Sequence, residues 1–183
     1  MTMILHTVVA ADLWFEHLMV SIRTPFLVRL FEAVTFFGKS FVIIAFAIVV
    51  GLVLLSLPRV RLFLPGFVVA LAGAGSSGLA LKYIVQRARP AGLLPAIAET
   101  GYSFPSGHSV ASSVFYGFIA FILCRLYPRY AKVVVATTVL VILAIGFSRL
   151  YLGVHFPSDV IAGYLLGGVW LLIGMRVVGK PRS

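Results

Sequence analysis

Three short stretches of the chain combine residue types that could hold a phosphate and react with it. The first reads KYIVQRARP. It places Lys82 and Arg89 seven residues apart, about two helical turns, so the spacing predicts both cations on nearly the same helix face. Pro90 then disfavours further helix at Arg89. The second reads GYSFPSGHS, with Pro105, Ser106, Gly107 and His108 at the start of an apolar run. That is the expected position of a helix N-terminus, where free backbone N–H groups and the helix dipole favour an anion. The third runs from Ser148 and Arg149 to His155 and Asp159.

Phosphoryl transfer spreads negative charge over the phosphate oxygens, so its catalysis is mostly positioning and charge stabilisation. Lys82, Arg89 and Arg149 supply three cations, and arginine binds phosphate bidentately. Ser106 and the backbone N–H groups of Gly107 and His108 supply neutral donors. Asp159 follows His155 by four residues at the start of a helix. A carboxylate on one ring nitrogen sets the tautomer and leaves the other nitrogen free to attack. His108 has no carboxylate near it in sequence and suits a general acid for the leaving alkoxide. Taken singly, each signal has a plainer reading. Lysine and arginine near the end of a membrane span often just reach for the headgroups, Pro-Ser-Gly is a common turn, and Arg87 reads as an ordinary interfacial residue.

The elements that must position these residues are membrane helices. Of 183 residues, 61% are hydrophobic and 11% charged, and the mean hydropathy is +1.11. A soluble domain carries about 25% charged residues. The net charge of +10 does not point to nucleic acid, because most Lys and Arg lie in short loops between apolar segments. One cysteine, Cys124, excludes an internal disulfide and a cysteine metal cluster. No basic leader with a small-residue cleavage site opens the sequence, so the spans themselves are expected to direct insertion.

Five spans are expected: Ser40 to Leu57, about Leu62 to Val85, His108 to Leu126, Val133 to Phe147, and Asp159 to Val178. Residues 1–37 carry Asp12, Glu16, His17, Arg23, Arg29 and Glu32, broken at Thr24 and Pro25. They read as amphipathic helices at the interface, with Trp14, Phe15, Leu18 and Met19 on one face. The expected organisation is therefore one membrane-embedded domain over 1–183, with a transmembrane core over 38–178. Gly73, Gly75 and Gly78 match a dinucleotide fingerprint. They lie inside a span with no preceding strand, so close helix packing is the better reading, as it is for Gly163 and Gly167.

Eight cations collect at one side: Arg59, Arg61, Arg125, Arg129, Lys132, Arg176, Lys180 and Arg182. The positive-inside rule makes that side cytoplasmic and sends all three polar stretches to the outer face.

The full set, Lys82-x6-Arg89-Pro90, Pro105-Ser106-Gly107-His108 and Ser148-Arg149-x5-His155-x3-Asp159, resembles the three-part signature of the type 2 phosphatidic acid phosphatases. These membrane lipid phosphatases share a fold with vanadium haloperoxidases. All three parts are complete and in order over residues 82–159. The resemblance implies an all-α, multi-pass helical bundle and a metal-independent hydrolase without a cofactor. His155 would form a phosphohistidine, Asp159 would orient it, and His108 would act as acid and then base. Lys82, Arg89, Ser106, Gly107 and Arg149 would cradle the phosphate. Many members have a sixth span ahead of the amphipathic piece, and this chain is expected to begin after it.

The expected activity is hydrolysis of a lipid phosphate or pyrophosphate at the outer face of the cell membrane. Substrates implied by the resemblance are undecaprenyl pyrophosphate, phosphatidylglycerophosphate, phosphatidic acid and lipid A 1-phosphate. Two other classes fit the same residues. A lipid phosphotransferase would pass the phosphoryl group to a lipid acceptor and release no free phosphate without it. A non-enzymatic transporter would move its ligand without turnover.

Overall fold

A computed structural model of the chain describes residues 2–90, 96–97 and 99–178, with side chains from His6 onward. The described residues form seven α-helices in order: α1 Thr2–Ser21, α2 Pro25–Phe36, α3 Ser40–Ser56, α4 Leu64–Val85, α5 Gly107–Leu126, α6 Ala131–Tyr151 and α7 Pro157–Val177. Among the described residues there is no strand. A helix satisfies its backbone polar groups within the segment, which an apolar surrounding demands. Among the described residues, five stretches are long and apolar enough to cross a membrane, the first running through α2 and α3, the others being α4 to α7 with their short lead-in turns. The expected spans are recovered to within a few residues at most ends.

α5 is the centre of the bundle, packed by α4, α6, α7 and α3. Its inner face, with Val110, Val114, Phe118 and Ile122, joins Phe67 and Ala70 of α4 and Ile43 of α3 in the core. Phe67 and Phe118 meet edge to face at 5.5 Å. The α5–α7 seam is set by small residues. A Cβ added at Gly163 would lie 2.7 Å from Cβ of Ser109, and one at Gly167 would lie 2.7 Å from both Cβ of Ser113 and the carbonyl oxygen of Val110. Two backbones approach this closely only where one helix carries no side chain at the crossing and the other only small ones. Within α4, Gly73 lies against the Trp170 ring, whose Nε1 donates to Ser77 at 2.8 Å. The glycines of the apparent dinucleotide fingerprint thus sit in an unbroken helix.

Three expectations need correction. α4 stops at Val85, and Gln86 turns into the left-handed region at φ 48°. Lys82 and Arg89 therefore do not share a helix face; Arg89 projects from the irregular segment after the helix. α6 continues past Phe147 to Tyr151, so Arg149 is in its last turn. In α1 the predicted face splits: Trp14 and Leu18 point outward, while Met19 is buried together with Asp12 and Glu16. Where the outer surroundings are lipid, the polar side of such a helix turns toward the protein and its apolar side away from it.

The break at Thr24 and Pro25 is where α1 gives way to α2, with Thr24 accepting a hydrogen bond from Leu27 N–H at 3.3 Å. This corner is tied to the end of α6: Thr24 N–H donates to the Tyr151 hydroxyl at 2.9 Å, and that hydroxyl donates to the Ile22 carbonyl at 3.0 Å. Arg59, Arg61, Arg125, Arg129, Lys132 and Arg176 lie at the helix ends away from the three polar stretches. Lys180 and Arg182 lie outside the described residues.

The seam gives a direct test. Gly167→Leu should destabilise the bundle by about 1–3 kcal/mol through overpacking and lower the thermal midpoint in detergent by several degrees. Gly168→Leu should leave the midpoint within a degree or so, because a Cβ there meets nothing within 4 Å. Equal midpoints for the two variants would show that α5 and α7 do not pack in this way.

Candidate active site

Two helices begin side by side at one end of the bundle. α5 starts at Gly107 with Ser106 as its N-cap, and α7 starts at Pro157. The Ser106 N–H donates to the Asp159 carbonyl at 3.0 Å, joining the two termini directly. The second and third sequence stretches therefore meet through the backbone. The end of α4 and the last turn of α6 bring in the remaining cations.

Arg149 is fully buried, with 0% of its surface exposed. A charge in that position must be paired and hydrogen-bonded. Its Nη1 donates to Thr35 Oγ1 at 2.8 Å, and its Nη2 meets Glu99 Oε1 at 2.5 Å. Arg89 donates from Nε to the Gly101 carbonyl and from Nη2 to the Thr100 carbonyl, both at 3.0 Å. Its Nη1 donates to the Val154 carbonyl at 3.0 Å and lies 3.2 Å from His155 Nε2. Lys82 Nζ donates to the Tyr102 carbonyl at 2.7 Å. The loop before α5 thus supplies backbone acceptors to two of the three cations.

His155 lies between Asp159 and Arg89. A guanidinium only donates, so the 3.2 Å contact makes Nε2 an acceptor and leaves the ring proton on Nδ1. Nδ1 is 3.5 Å from Asp159 Oδ2, within reach for electrostatic pairing but long for a hydrogen bond. Pairs of this kind tighten when a reactant binds. Burial, reinforced by the charges of Arg149 and Arg89 against the opposing pull of Asp159, pushes the His155 ring down to about 4. The imidazole is neutral at neutral pH.

The Asp159 carboxylate is buried and well supplied with donors. Oδ2 accepts from the Ser103 hydroxyl and from Phe156 N–H at 2.9 Å, and Oδ1 accepts from Arg87 at 2.7 Å. His108, in the first turn of α5, is packed against the α2–α3 turn. A Cβ added at Gly38 would lie 2.9 Å from its Cδ2, so the imidazole fits only because residue 38 has no side chain. Three buried polar atoms here make no hydrogen bond among the described residues: Ser106 Oγ, His108 Nε2 and Arg149 Nε. Buried polar groups are otherwise almost always paired, so this cluster has donor and acceptor capacity for a polar ligand.

All eight residues expected from sequence converge at this end of the bundle. Six further side chains support them, four by direct contact and two, Asp12 and Ser158, through Arg87. Thr35, Glu99 and Ser103 reach Arg149 and Asp159, and Arg87, Asp12 and Ser158 form a network on the far side of Asp159. Arg87 is therefore not the ordinary interfacial residue its sequence context implies. Asp12 and Glu99 had one legible signal, a carboxylate in or beside an apolar stretch, where an unpaired acid is costly. Thr35 and Ser103 carried none.

Comparison with known proteins identifies the family. Residues 61–183 match the model of the PAP2 superfamily. The chain is 31% identical over 170 residues to phosphatidylglycerophosphatase B of Bacillus subtilis, covering 89% of this chain and 82% of that protein. It is 37% identical over 109 residues to lipid A 1-phosphatase of Rhizobium etli, covering 55% of this chain and 44% of that protein. The crystal structure of a transmembrane PAP2-type phosphatidylglycerolphosphate phosphatase from Bacillus subtilis superposes with a TM-score of 0.84 at 28% identity, over 96% of this chain and 90% of that one. With its multi-pass helical bundle and complete three-part signature, the chain belongs to the PAP2 superfamily of membrane lipid phosphatases.

Proposed function

We propose that the chain hydrolyses a lipid phosphate or pyrophosphate at the outer face of the cell membrane, through a phosphohistidine on His155. The observation that carries this reading is the placement of the His155 ring, neutral, with its protonated Nδ1 toward Asp159 and its lone pair toward the cationic cluster. On substrate binding the Arg89 N–H turns from Nε2 to a phosphate oxygen, and the lone pair attacks phosphorus. Asp159 stabilises the imidazolium that forms. Lys82, Arg89 and Arg149 meet the growing charge, with Ser106 and the Gly107 and His108 N–H groups as neutral donors. His108, protonated by the entering phosphate monoanion, gives that proton to the leaving alkoxide. His108 then accepts a proton from the water that cleaves the phosphohistidine, returning both histidines to their starting state.

A lipid substrate is supported by an apolar groove of about 590 Å³ between α3, α4 and α5. It runs from Lys82, Pro105 and Gly107 at the site down past Ile44, Ile48 and Leu71. Ile44 and Ile48 are exposed on its outer wall, so a hydrocarbon chain could lie there while its phosphate meets the cations. Phosphatidylglycerophosphate heads the substrate panel because the B. subtilis phosphatidylglycerophosphatase matches nearly the whole chain. Lipid A 1-phosphate, phosphatidic acid and undecaprenyl pyrophosphate complete it.

Glu99 occupies the position where a phosphate would compete. Its carboxylate reaches Arg149 at 2.5 Å and Arg89 at 3.9 Å. Burial would raise this carboxyl, but Arg149 and Arg89 outweigh it and hold the group below the usual glutamate value, so it is ionised at neutral pH. An incoming phosphate must take over these donors. Partly exposed ion pairs contribute up to about 1 kcal/mol. Glu99→Gln should therefore lower KM roughly two- to fivefold with kcat within twofold. A raised KM would show that Glu99 instead holds Arg149 in place for the substrate.

Free-phosphate release from the purified protein in detergent tests the reaction itself. His155→Ala should abolish turnover, and Asp159→Asn should lower kcat by several orders of magnitude. His108→Ala should cost far more on an alkyl phosphate than on p-nitrophenyl phosphate, whose leaving group needs little protonation. Substantial turnover by His155→Ala would end the phosphohistidine mechanism, and phosphate release only on addition of a lipid acceptor would make the protein a transferase.

Sidedness is read from Cys124, near the end of α5 opposite His108 and about 24 Å away along the helix axis. In right-side-out vesicles a membrane-impermeant maleimide should not label Cys124 until the membrane is permeabilised. Ala96→Cys in a Cys124→Ser background should label at once. The reverse pattern would put the site on the cytoplasmic leaflet.

A further inference from the structure

Arg87 connects the site to α1. Its guanidinium spans two buried carboxylates, with Nη1 2.7 Å from Asp159 Oδ1 and Nη2 2.7 Å from Asp12 Oδ2. Nη1 also donates to the Ser158 hydroxyl at 2.6 Å, and the guanidinium stacks on the Phe156 ring with Cζ 4.3 Å from its centre. Asp12 is itself anchored on the first turn of α7. Its Oδ1 accepts from Ser158 N–H at 3.1 Å and its Oδ2 from the Ser158 hydroxyl at 2.5 Å. Arg87 is thus held on three sides, by a carboxylate of α1, a hydroxyl of α7 and an aromatic face next to His155.

The geometry at Asp159 gives this arrangement a consequence. The carboxylate uses Oδ2 toward His155, Ser103 and the Phe156 N–H, and Oδ1 toward Arg87. Without a partner on Oδ1 the group is held through Oδ2 alone and its plane can swing about the terminal torsion, which is broad. With Arg87 on Oδ1 the plane is set and Oδ2 stays directed at Nδ1. Groups that orient a histidine's carboxylate partner have measurable effects on activity although they touch no reactant.

We propose that Arg87, held by Asp12 of α1, is a positioning residue for the phosphoryl-transfer reaction and acts through Asp159. The inference rests on the reading of His155 as nucleophile and Asp159 as its orienting carboxylate. It also assigns the N-terminal helix a part in catalysis: Asp12 reaches a residue 146 positions away and holds the start of α7. Lysine at position 87 keeps a charge but loses the fork that spans both acids.

A mutant cycle on the full-length protein in detergent, with p-nitrophenyl phosphate as substrate, tests this. Arg87→Gln should lower kcat about ten- to hundredfold, with KM within threefold because Arg87 contacts none of the residues of the phosphate cradle. Arg87→Lys should recover only part of the loss, and Asp12→Asn should fall in the same direction by a smaller factor. In an Asp159→Asn background, Arg87→Gln should change kcat by less than twofold, since the residue it acts through is already neutralised. The same fold-loss in both backgrounds would show a general structural contribution and overturn the proposal, as would a raised KM with unchanged kcat. Thermal midpoints for every variant identify any that fail to fold, and Asp12→Asn, which leaves Arg87 in place, then completes the cycle with Asp159→Asn under the same two criteria. Wild-type activity in Asp159→Asn alone would instead overturn the orienting role of Asp159, an outcome separate from the behaviour of Arg87.

Discussion

The structure depends on the close approach of α5 and α7. Both helices start at the same end of the bundle, and the crossing at Gly163 and Gly167 lets their backbones come together below those starts. The bond from Ser106 N–H to the Asp159 carbonyl closes the top of the seam. Two N-terminal half-dipoles then point toward the same region, which favours an anion there without any side chain. The proposed phosphate donors of α5 and the His155–Asp159 pair at α7 are held in register by packing that lies mostly outside the site.

Placing three cations near such a region requires local compensation. Arg149 has no exposure and needs the Thr35 hydroxyl and the Glu99 carboxylate. Arg89 spends its donors on three carbonyls of nearby loops, and Lys82 on a fourth. The loop before α5 therefore does more than connect two spans. It neutralises and orients the cations, and it offers Arg149 a carboxylate that a bound phosphate would replace. A site arranged this way keeps its charges paired in the absence of substrate, at the cost of some competition when substrate arrives.

The N-terminal helices illustrate how polar residues behave in a mostly apolar chain. Asp12, Glu16 and Thr35 would be ordinary surface residues in a soluble protein. Here they face inward, and two of them reach residues at the site: Thr35 holds Arg149, and Asp12 holds Arg87 and the first turn of α7. Gly38, between α2 and α3, leaves room for the His108 ring. The segment from Asp12 to Lys39 is thus part of the framework around the site, although none of the three sequence stretches lies in it.

Apolar length and loop charge were enough to place five spans, because a membrane helix must satisfy its own backbone over a set thickness. The residue types and spacings of the three stretches were enough to identify the family and to nominate residues that the fold brings to one end of the bundle, since Pro-Ser-Gly-His at a helix start and a histidine four residues before an aspartate constrain geometry locally. What remained for the tertiary structure were relations between distant positions and the fine course of the backbone. The left-handed turn at Gln86 takes Arg89 off the helix that carries Lys82, and no periodicity announces where a helix stops short of a proline. The partners of Arg149, Asp159 and Arg87, namely Thr35, Glu99, Ser103 and Asp12, are 50 to 114 residues away from the groups they serve. Such pairs have no spacing rule; they exist only once the helices are packed and buried charges must find the nearest available group.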